Sequence, residues 1–481
     1  MDTPEWPKVE GPRILSLVGN DLRIDVRSRK TAASLAGSGF SVIAMGVTSF
    51  GDEVPSEGHH GALLYRVPVV LDGGSTPFLF RFSKANLRDF FFSITEKIKG
   101  RLRELKAGTK HSDHDSRKKL VSRLINKVRV AQLNFAAKVF WSFYRLLARQ
   151  NSHRLFIKSW RWTLPEMHRY EASLGPVIDL LKPDLIHVHD VFHLGLAARA
   201  VTRAKQAQRD IKLVYDVHEY IPGLPIEDRK RCGYENLENE YAPLVDAFIT
   251  VSPGLEALIE KRFGVPSAVV LNAPDLISAI NTTPLREVVN LSSDDTLMVY
   301  VGGIAPHRGA ELLLETMQYL AQDFHLVFVS ASTSGYIASL RERSIKDGIA
   351  GRVHFAPFVE PEAVVSYISS ADISLIPLSR EIQNYEVALP NKLFQSIHAG
   401  VPLAVSDNPD MKQFVKENGV GEVFVGNNPK LVADAINKVV NSSYLYAEAI
   451  GDERLLFETS WEYQSTLITN TYNNLGVSPH A

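Results

Sequence analysis

Two positively charged residues stand where apolar helices are predicted to begin in the C-terminal half of the chain. Arg308 lies in YVGGIAPHRGAELLLETM, and Lys392 lies in the first turn of a helix predicted from ALPNKLFQSIHAG. A helix N-terminus already presents free N–H groups and partial positive charge, so an added cation is favourable only beside an anion. The spacing therefore predicts that both cations converge on a phosphate or diphosphate. The alternative for Arg308 is an ordinary ion pair with an acidic neighbour.

The backbone around Arg308 is expected to suit a bound ligand. Gly302 and Gly303 end the preceding strand-like run, and their lack of side chains lets a ligand approach the backbone closely. His307 and Arg308 are then predicted in the first turn of a helix over Gly309–Leu320.

Polar side chains also follow two apolar runs in the N-terminal half. LIHVHD and LVYDVHEY contribute His187, His189, Asp190, Asp216, His218 and Glu219. Because the carboxyl ends of parallel strands meet at one edge of a sheet, we expect these side chains to face a ligand cleft. His218 is predicted to be a proton or hydroxyl partner near neutral pH, whereas His187 is predicted to be a hydrogen-bonded core residue.

A loop after the first predicted strand completes this set. VGNDLRIDVRSRK predicts a tight turn at Gly19 and Asn20, with Asp25 and Arg27 around the start of the next helix. The chain contains neither G-x-x-x-x-G-K-[ST] nor G-x-G-x-x-G, so hydrolysis of nucleoside triphosphates and dinucleotide redox chemistry are disfavoured.

The elements that must position these residues form two series of strands and helices. The predicted strands are RILSLVG, SVIAMGV, LIHVH, LVYDV, AFITVS and AVVLN, then TLMVYVGG, HLVFVS, VHFAP, ISLIPL and VPLAV. Nearly continuous Val/Ile/Leu runs are typical of parallel strands buried on both faces, and interleaved helical patterns complete βαβ units. We therefore predict an α/β fold with two doubly wound, Rossmann-like domains facing across a cleft, over residues 1–285 and 286–456. A final helix, about Trp461 to Leu475 within residues 457–481, is expected to cross back to the first domain.

Composition agrees with an ordinary globular protein of 481 residues and net charge −1, which indicates no nucleic-acid partner. The single cysteine, Cys232, excludes an internal disulfide and is typical of a reducing, cytoplasmic compartment. The N-terminal stretch has no signal-peptide pattern. Thr31 to Gly51 lacks charged residues, but its glycines predict a helix end, a turn and a buried strand rather than a membrane span.

A basic segment interrupts the first series over residues 81–162, which hold 21 of the 53 Lys and Arg residues but only 5 of the 54 Asp and Glu residues. A helical apolar stripe from Leu120 to Leu147 runs beside basic residues, which predicts a basic helical insertion. Its two interpretations are contact with an anionic membrane surface, peripheral on the inner face, and simple packing on the first domain. The stretch His111 to Asp115 is interpreted as a solvated loop rather than a metal site, and no metal is expected.

The order of these motifs resembles the family-4 retaining glycosyltransferases of the GT-B fold (glycosyl transferases group 1). The matching stretches are D-x-R at Asp25–Arg27, LIHVHD, YDVHE, FITVSPGLEALI, VLNAPD, VYVGG…RG, ADISLIP and ALPNKLF…AGVPLAVSD. The resemblance implies a nucleotide-diphosphate sugar as donor, a hydroxyl acceptor, and no cofactor or metal.

The resemblance also implies roles for individual residues. The catalytic set would be His218, Arg308 and Lys392. The donor would contact Gly302, Gly303, Arg308, Phe358, Glu386, Leu389, Pro390, Asn391, Lys392 and Gln395, with the segment from His354 to Phe358 flanking the base. The acceptor side would comprise Gly19, Asn20, Arg27, His189, Asp190 and Glu219.

Three positions depart from the family pattern. Gly303 stands where an arginine is common, so one diphosphate cation is absent. The Glu-x7-Glu pattern falls on Val387 and Gln395, with Glu386 one position away from the first. Gln395 can still bind a ribose hydroxyl, but without a charge-assisted bond.

The sequence thus predicts a metal-independent, retaining transferase that acts in the synthesis of a polysaccharide, glycolipid or other cell-envelope glycan, with a lipid-linked acceptor among the options. Two alternatives stay open. One is a sugar-nucleotide epimerase or phosphorylase on the same fold. The other is a degenerate protein that binds a sugar nucleotide without catalysis.

Overall fold

A computed structural model of the protein describes residues 4–23, 25–49, 56–69, 159–276, 280, 282–330 and 335–479. Residues 81–158 of the predicted basic insertion, including its apolar stripe and the His111 to Asp115 stretch, lie outside the described residues. Thr31 to Ser49 forms the second half of a helix, a turn and a strand, as predicted. Among the described helices, none combines the length and the apolar character that a bilayer crossing requires.

The first sheet has eight strands in the order β3-β4-β2-β1-β5-β6-β7-β8. They are β1 Arg13–Leu17, β2 Ser41–Ser49, β3 Glu57–His59, β4 Ala62–Val69, β5 Leu185–His189, β6 Lys212–Val217, β7 Ala247–Thr250 and β8 Ser267–Val269. All neighbouring strands pair in parallel except β3 and β4. The register places His187 opposite Val214 and His189 opposite Asp216, which brings the polar ends of β5 and β6 together.

The second sheet has six parallel strands in the order β11-β10-β9-β12-β13-β14. They are β9 Thr296–Val301, β10 Phe324–Ser330, β11 Val353–Pro357, β12 Ile373–Ile376, β13 Leu403–Ser406 and β14 Gly421–Phe424. Strands β9, β12 and β13 are almost entirely buried, as the continuous apolar runs predict. The predicted pair of doubly wound sheets is therefore confirmed.

Helices surround both sheets. They are α1 Val26–Gly37, α2 Trp160–Thr163, α3 Glu166–Leu181, α4 Leu194–Gln206, α5 Asp228–Tyr241, α6 Pro253–Phe263, α7 Leu285–Val288, α8 Ala310–Thr316, α9 Gly335–Lys346, α10 Val364–Ile368, α11 Gln383–Glu386, α12 Asn391–His398, α13 Pro409–Asn418, α14 Pro429–Asn441, α15 Ser443–Ile450, α16 Glu453–Glu458 and α17 Trp461–Asn474.

The prediction missed β3, β4 and β14. Strand β4 alternates buried and half-buried residues near one edge of its sheet, so ALLYRVPV lacks the continuous apolar run used to find the central strands. Strand β14 is four residues long and closes the other sheet's edge. A short edge strand forms because its neighbour supplies hydrogen bonds, and the residues of the strand itself do not predict that neighbour.

The last helix, α17, lies against the first sheet although it follows the second in the chain. Trp461 donates from its indole nitrogen to the hydroxyl of Ser34 in α1 at 2.9 Å. The side chain of Gln464 accepts from the backbone N–H of Leu271 at 2.7 Å. Tyr472 is fully buried and meets Phe40 edge to face, so α17 completes the core of the first domain.

The two sheets meet across a cleft through specific hydrogen bonds. Asn384 in α11 accepts from the backbone N–H of Tyr220 at 2.7 Å and donates to Glu219 at 3.4 Å. Ser252 donates to the carbonyl of Val387 at 2.5 Å. These contacts place the carboxyl ends of β5 and β6 opposite the segment that leads into α12.

Candidate active site

Lys392 is a buried cation without an anionic partner. It lies in the first turn of α12, its side chain is 9% exposed, and its ammonium nitrogen has no hydrogen-bond partner in the described part of the chain. The nitrogen stands 4.0 Å from the ring centroid of Tyr300. Burial, together with the nearby Arg308, lowers the pKa of Lys392 to about 7. An unpaired ammonium at a helix N-terminus is costly, and a bound anion would remove that cost.

Arg308 adds a second cation beside Lys392. Its guanidinium makes one hydrogen bond to the described residues, a 3.4 Å contact with the carbonyl of Gly303. No ion pair to Arg308 occurs among the described residues, so the alternative of an acidic partner is not what the structure shows. The guanidinium and the ammonium therefore form a pair of positive charges that no anionic side chain of the described residues neutralises.

The prediction that His307 and Arg308 occupy the first turn of a helix is wrong. Helix α8 begins at Ala310, after a loop in which His307 has φ 67° and Gly309 has φ 80°. Left-handed backbone at both positions prevents the helix from extending backward. A side chain on Gly309 would also collide with the carbonyl oxygen of Pro377 at 2.2 Å, so only glycine fits there. Arg308 therefore projects from a loop rather than from a helix end.

His218 lies at the carboxyl end of β6, flanked by two carboxylates. Its Nε2 is 3.2 Å from Asp216 and its Nδ1 is 3.5 Å from Asp190. Burial opposes the charge on the imidazole, but Asp190 and Asp216 outweigh it and raise the pKa of His218 to about 9. At neutral pH the ring is therefore an imidazolium. An imidazolium stabilises negative charge but has no free nitrogen to accept a proton. The predicted role of His218 as a proton or hydroxyl partner is therefore limited to charge stabilisation at neutral pH.

Asp216 is fully buried and bound by Arg27. The guanidinium donates from Nε and Nη2 to the two carboxylate oxygens at 2.9 and 3.0 Å, and from Nη1 to the carbonyl of Val270 at 3.0 Å. This ion pair holds the pKa of Asp216 well below its usual range against the opposing effect of burial. Arg27 itself is only 3% exposed. The Arg27 donors are thus directed into the core, and its predicted place on the acceptor side stays a prediction.

His189 and His187 are also buried beside Asp216. His189 Nε2 meets the hydroxyl of Ser16 at 3.1 Å, and its Nδ1 is 3.4 Å from Asp216. Its ring, 1% exposed, stacks on His187 at 4.3 Å between centroids, and its predicted place on the acceptor side stays a prediction. His187 lies in the core with its Nδ1 2.5 Å from the Tyr472 hydroxyl, as the prediction of a hydrogen-bonded core residue requires.

His187, His189 and Asp216 also have the spacing of metal ligands, since their donor atoms lie within 4.8 Å of one another. Both carboxylate oxygens of Asp216 already accept from Arg27, however. A divalent cation bound there would stand directly beside the buried guanidinium. We therefore interpret the cluster as a buried ion pair with its surrounding imidazoles.

The remaining acceptor-side residues line the first wall of the cleft. Asp190 has φ 62°, and its N–H donates to the Asp216 carbonyl at 3.1 Å. Such backbone strain is frequent at functional sites. Glu219 is exposed and meets Asn384 across the cleft. A side chain on Gly19 would approach Phe192 at 3.1 Å, and Asn20 donates to Asp25 at 2.8 Å, so this loop is closely fitted.

The donor-side residues divide into exposed and sequestered groups. Phe358 is 37% exposed at the end of β11, and Asn391 and Gln395 line a cleft with Lys30 and Asp275 of the first domain. Gly302 has φ 110° and open space around it.

Two residues predicted to contact the sugar donor have side chains that make other contacts. Leu389 is buried in the core of the second domain, which leaves only its backbone for a donor. Glu386 accepts from Arg380 at 3.0 Å, and Arg380 also reaches Asp407 at 3.1 Å. Pro390 is the N-cap of α12, with extended backbone and no side-chain cap.

Sequence reasoning placed Asp216 at the cleft end of its strand but gave it no role, and it left Tyr300 and Asn384 out of the site. Asp216 lies two positions before His218, and alternation along the strand was a usable signal for a role beside it. Tyr300 under Lys392 and Asn384 across the cleft carried no such signal, because their contacts join segments far apart in the chain.

Comparison with known proteins agrees with this architecture. Residues 281–453 match the model of the glycosyl transferases group 1, and residues 129–276 match that of glycosyltransferase family 4. An uncharacterized glycosyltransferase of Methanocaldococcus jannaschii is 22% identical over 295 residues, which is 58% of this chain and 72% of that protein. A D-inositol 3-phosphate glycosyltransferase of Xylanimonas cellulosilytica is 23% identical over 43% of this chain, and the match spans under half, 46%, of its own length.

Solved structures show the same fold at low identity. Sucrose-phosphate synthase from Thermosynechococcus elongatus has a TM-score of 0.64 at 14% identity, covering 97% of this chain and 99% of that one. HepE of Anabaena, solved with UDP and glucose, has a TM-score of 0.58 at 14% identity, covering 96% and 100%. WaaG, a glycosyltransferase involved in lipopolysaccharide biosynthesis, has a TM-score of 0.52 at 14% identity, covering 95% and 99%.

Fold and sequence together define a glycosyltransferase with two facing Rossmann-like domains. The chain belongs to glycosyltransferase family 4, the glycosyl transferases group 1 of the GT-B fold.

Proposed function

We propose that this glycosyltransferase transfers a sugar from a nucleotide-diphosphate donor to a hydroxyl acceptor with retention of anomeric configuration and without a metal. The observation that carries the proposal is the buried, unpaired ammonium of Lys392 beside Arg308. A diphosphate supplies the negative charge that this site lacks, and the two cations supply the neutralisation that a metal would otherwise provide.

In the proposed reaction the bond between the sugar's anomeric carbon and the diphosphate oxygen breaks, and the acceptor oxygen bonds to that carbon on the same face. The acceptor proton passes to the departing phosphate oxygen. Arg308, Lys392 and the N-terminus of α12 stabilise the leaving charge, and the His218 imidazolium adds positive charge from the opposite wall. Retention rests on the family resemblance. It is supported by the charged state of His218, which has no free basic nitrogen at neutral pH.

The acceptor is proposed to be a hydroxyl of a cell-envelope glycan or glycolipid, bound along the wall formed by Gly19, Asn20, Asp190 and Glu219. The related fold of WaaG, whose role is in lipopolysaccharide biosynthesis, supports this class of acceptor. Contact of residues 81–162 with an anionic membrane surface remains part of the proposal. Co-sedimentation with liposomes that is insensitive to anionic lipid would count against that part.

A thermal-shift panel of UDP-, GDP- and dTDP-sugars tests the donor. Selective binding stabilises a protein by mass action, by about 2.7 kcal/mol at 100 times Kd. We expect one nucleotide series to raise the apparent Tm by a few degrees while the others leave it unchanged. UDP-sugars come first in the panel because HepE, which shares the fold, was solved with UDP-glucose. Absence of a shift with every nucleotide would contradict the proposal.

Gln395 is the position at which donor affinity should be improvable. Replacing Gln395 with glutamate restores a charge-assisted hydrogen bond to a ribose hydroxyl, which is roughly twice as strong as a neutral one. We expect the Kd for the preferred nucleotide sugar, measured by calorimetry, to fall about 5- to 10-fold. Gln318→Glu, at an exposed position on the same domain, is the matched control for added negative charge.

An unchanged Kd in Gln395→Glu would show that the ribose does not lie at α12. The second candidate, suggested by Gln395 and Gly303, is a degenerate protein that binds a sugar nucleotide without catalysis. Tight binding of the donor without transfer to any acceptor, in both the wild type and Gln395→Glu, would support it. Turnover that depends on phosphate and needs no acceptor would select the phosphorylase or epimerase alternative.

A further inference from the structure

The Asp216 carboxylate stands at the centre of a ring of nitrogen atoms. Its Oδ2 accepts from Arg27 at 2.9 Å and lies 3.2 Å from His218 Nε2, 3.4 Å from His189 Nδ1 and 3.6 Å from His187 Nε2. Asp216, Arg27, His187 and His189 are all at least nine-tenths buried. Of these groups, His218 alone reaches the cleft, with a fifth of its side chain exposed. The ring therefore connects one cleft residue to a sealed interior.

The same ring is tied to the last helix of the chain. Tyr472 in α17 has no exposed surface, and its hydroxyl is 2.5 Å from His187 Nδ1. With the hydroxyl donating to Nδ1, His187 carries its proton on Nε2, which faces Asp216. A continuous buried path thus runs from Tyr472 through His187 and Asp216 to His218.

We propose that Asp216 is a positioning residue for His218 and that Tyr472, acting through His187, holds Asp216 from the C-terminal helix. The proposal rests on the proposed function, in which His218 faces the reacting sugar. Neither Asp216 nor Tyr472 touches the cleft, so both act through His218.

Physical reasons favour positioning over simple core stability. A bidentate arginine would by itself pair Asp216, yet three imidazoles crowd the same oxygen. Each buried polar group that pairing does not require costs desolvation energy. Proteins keep such groups where they orient a functional side chain. The backbone carbonyl of Asp216 also accepts a hydrogen bond from the backbone N–H of Asp190. Asp216 therefore helps to position Asp190 as well as its own carboxylate, and these two carboxylates flank His218.

The charged state of His218 depends on groups from several elements. Asp190 follows β5, Asp216 precedes His218 on β6, and Arg27 and Asp25 belong to the start of α1. His189 on β5 and Glu219 on the cleft side complete the charged and titratable neighbours. Removal of Asp216 should therefore lower the proton affinity of His218, whereas Asp190 remains as its second carboxylate.

Titration of His218 by NMR on the full chain labelled at histidine tests the proposal without any substrate. His218→Gln assigns the resonance. We expect its midpoint near 9 in the wild type, and at least one pH unit lower in Asp216→Asn. In Tyr472→Phe, His187 loses the hydroxyl that holds it and therefore neutralises less of the negative charge on Asp216. We expect the His218 midpoint to rise by a few tenths of a pH unit as a result.

Tyr472→Phe also keeps the proposal testable if Asp216→Asn, which leaves Arg27 unpaired, does not fold. We expect Tyr472→Phe to lower kcat severalfold with the KM for the nucleotide sugar unchanged. Tyr215→Phe is the matched control, since Tyr215 is fully buried in the same domain and its hydroxyl donates to Glu238 at 3.0 Å rather than to a member of the ring.

An unshifted His218 midpoint in both Asp216→Asn and Tyr472→Phe would overturn the proposal. So would a Tyr472→Phe variant that matches Tyr215→Phe in midpoint and kcat. Failure of the proposed function is distinguishable, because a protein that binds no nucleotide still reports the His218 midpoint. Transfer activity with an unshifted midpoint contradicts the positioning role alone.

Discussion

Lys392→Met is expected to weaken nucleotide-sugar binding about 10- to 100-fold while making the unliganded protein more stable. A hydrogen bond to a charged group contributes about 1.5–3 kcal/mol, which sets the size of the binding loss. Methionine has a similar shape and removes an unpaired buried ammonium, so the free energy of unfolding should rise. Calorimetric titration and a thermal melt on the same protein measure the two effects. Opposite signs identify a residue kept for ligand binding rather than for folding.

Lys416→Met, at an exposed position of the second domain, is the control for loss of one positive charge. Arg308→Ala should weaken binding comparably without raising stability, because Arg308 is only partly buried. Binding that survives both Lys392→Met and Arg308→Ala would contradict the proposed diphosphate site.

The same site predicts a pH dependence of binding. The pKa of Lys392 is lowered to about 7 in the free protein, and a bound diphosphate should raise it again. Binding therefore takes up a proton, and affinity should fall as pH rises from 6 to 8. A nucleotide sugar such as UDP-glucose is the suitable probe, because its diphosphate does not titrate in this range. The pH dependence should disappear in Lys392→Met.

His218→Gln is expected to lower turnover about 100- to 1000-fold while leaving donor affinity within a few-fold of the wild type. A positioned donor near the reacting atoms contributes roughly this much. The pKa of His218 is raised to about 9, so the active form is the imidazolium. The wild-type kcat should therefore fall above about pH 9. An acidic limb near the usual histidine pKa would instead indicate a neutral base and contradict the assignment.

The pH dependence of folding stability provides an independent test of the raised pKa of His218. The folded pKa of His218 lies above its unfolded value, so its charge stabilises the fold fully below about pH 6.5 and no longer above about pH 9. The contribution is on the order of 2 kcal/mol after allowance for partial exposure. The difference in Tm between wild type and His218→Gln should narrow across that range. His398→Gln, at the opposite end of α12 from Lys392, should show no such convergence.

Much of the architecture was readable from local patterns. Continuous apolar runs predicted the central strands of both sheets, because parallel strands buried on both faces leave little room for polar residues. The edge strand β14, and β4 beside the edge strand β3, were missed, since their hydrogen bonds depend on a neighbour rather than on composition. Lys392 was identifiable because a cation in the first turn of a helix opposes the dipole unless an anion is present.

The helix prediction at Arg308 shows where local patterns fail. Glycine at position 309 fits the start of a helix equally well as a cap or as a first residue, and only the packing against Pro377 decides between them. The orientations of Arg27 and His189 were also beyond local patterns. His189 ends β5 and Arg27 lies in the first turn of α1, but the direction of each side chain depends on partners far away in the chain, Asp216 and Ser16.

By itself, the sequence determined the two α/β domains, the family, and the pair of cations that a diphosphate would neutralise, since each depends on residues close together in the chain. Only the tertiary structure decided the charge on His218, the burial of Arg27 and the burial of the Lys392 ammonium without a hydrogen-bond partner among the described residues. Asp190 and Asp216 set the charge on His218, Asp216 holds Arg27 in the core, and Tyr300 lies against Lys392. Folding brings these groups together, and electrostatic effects depend on distance in space.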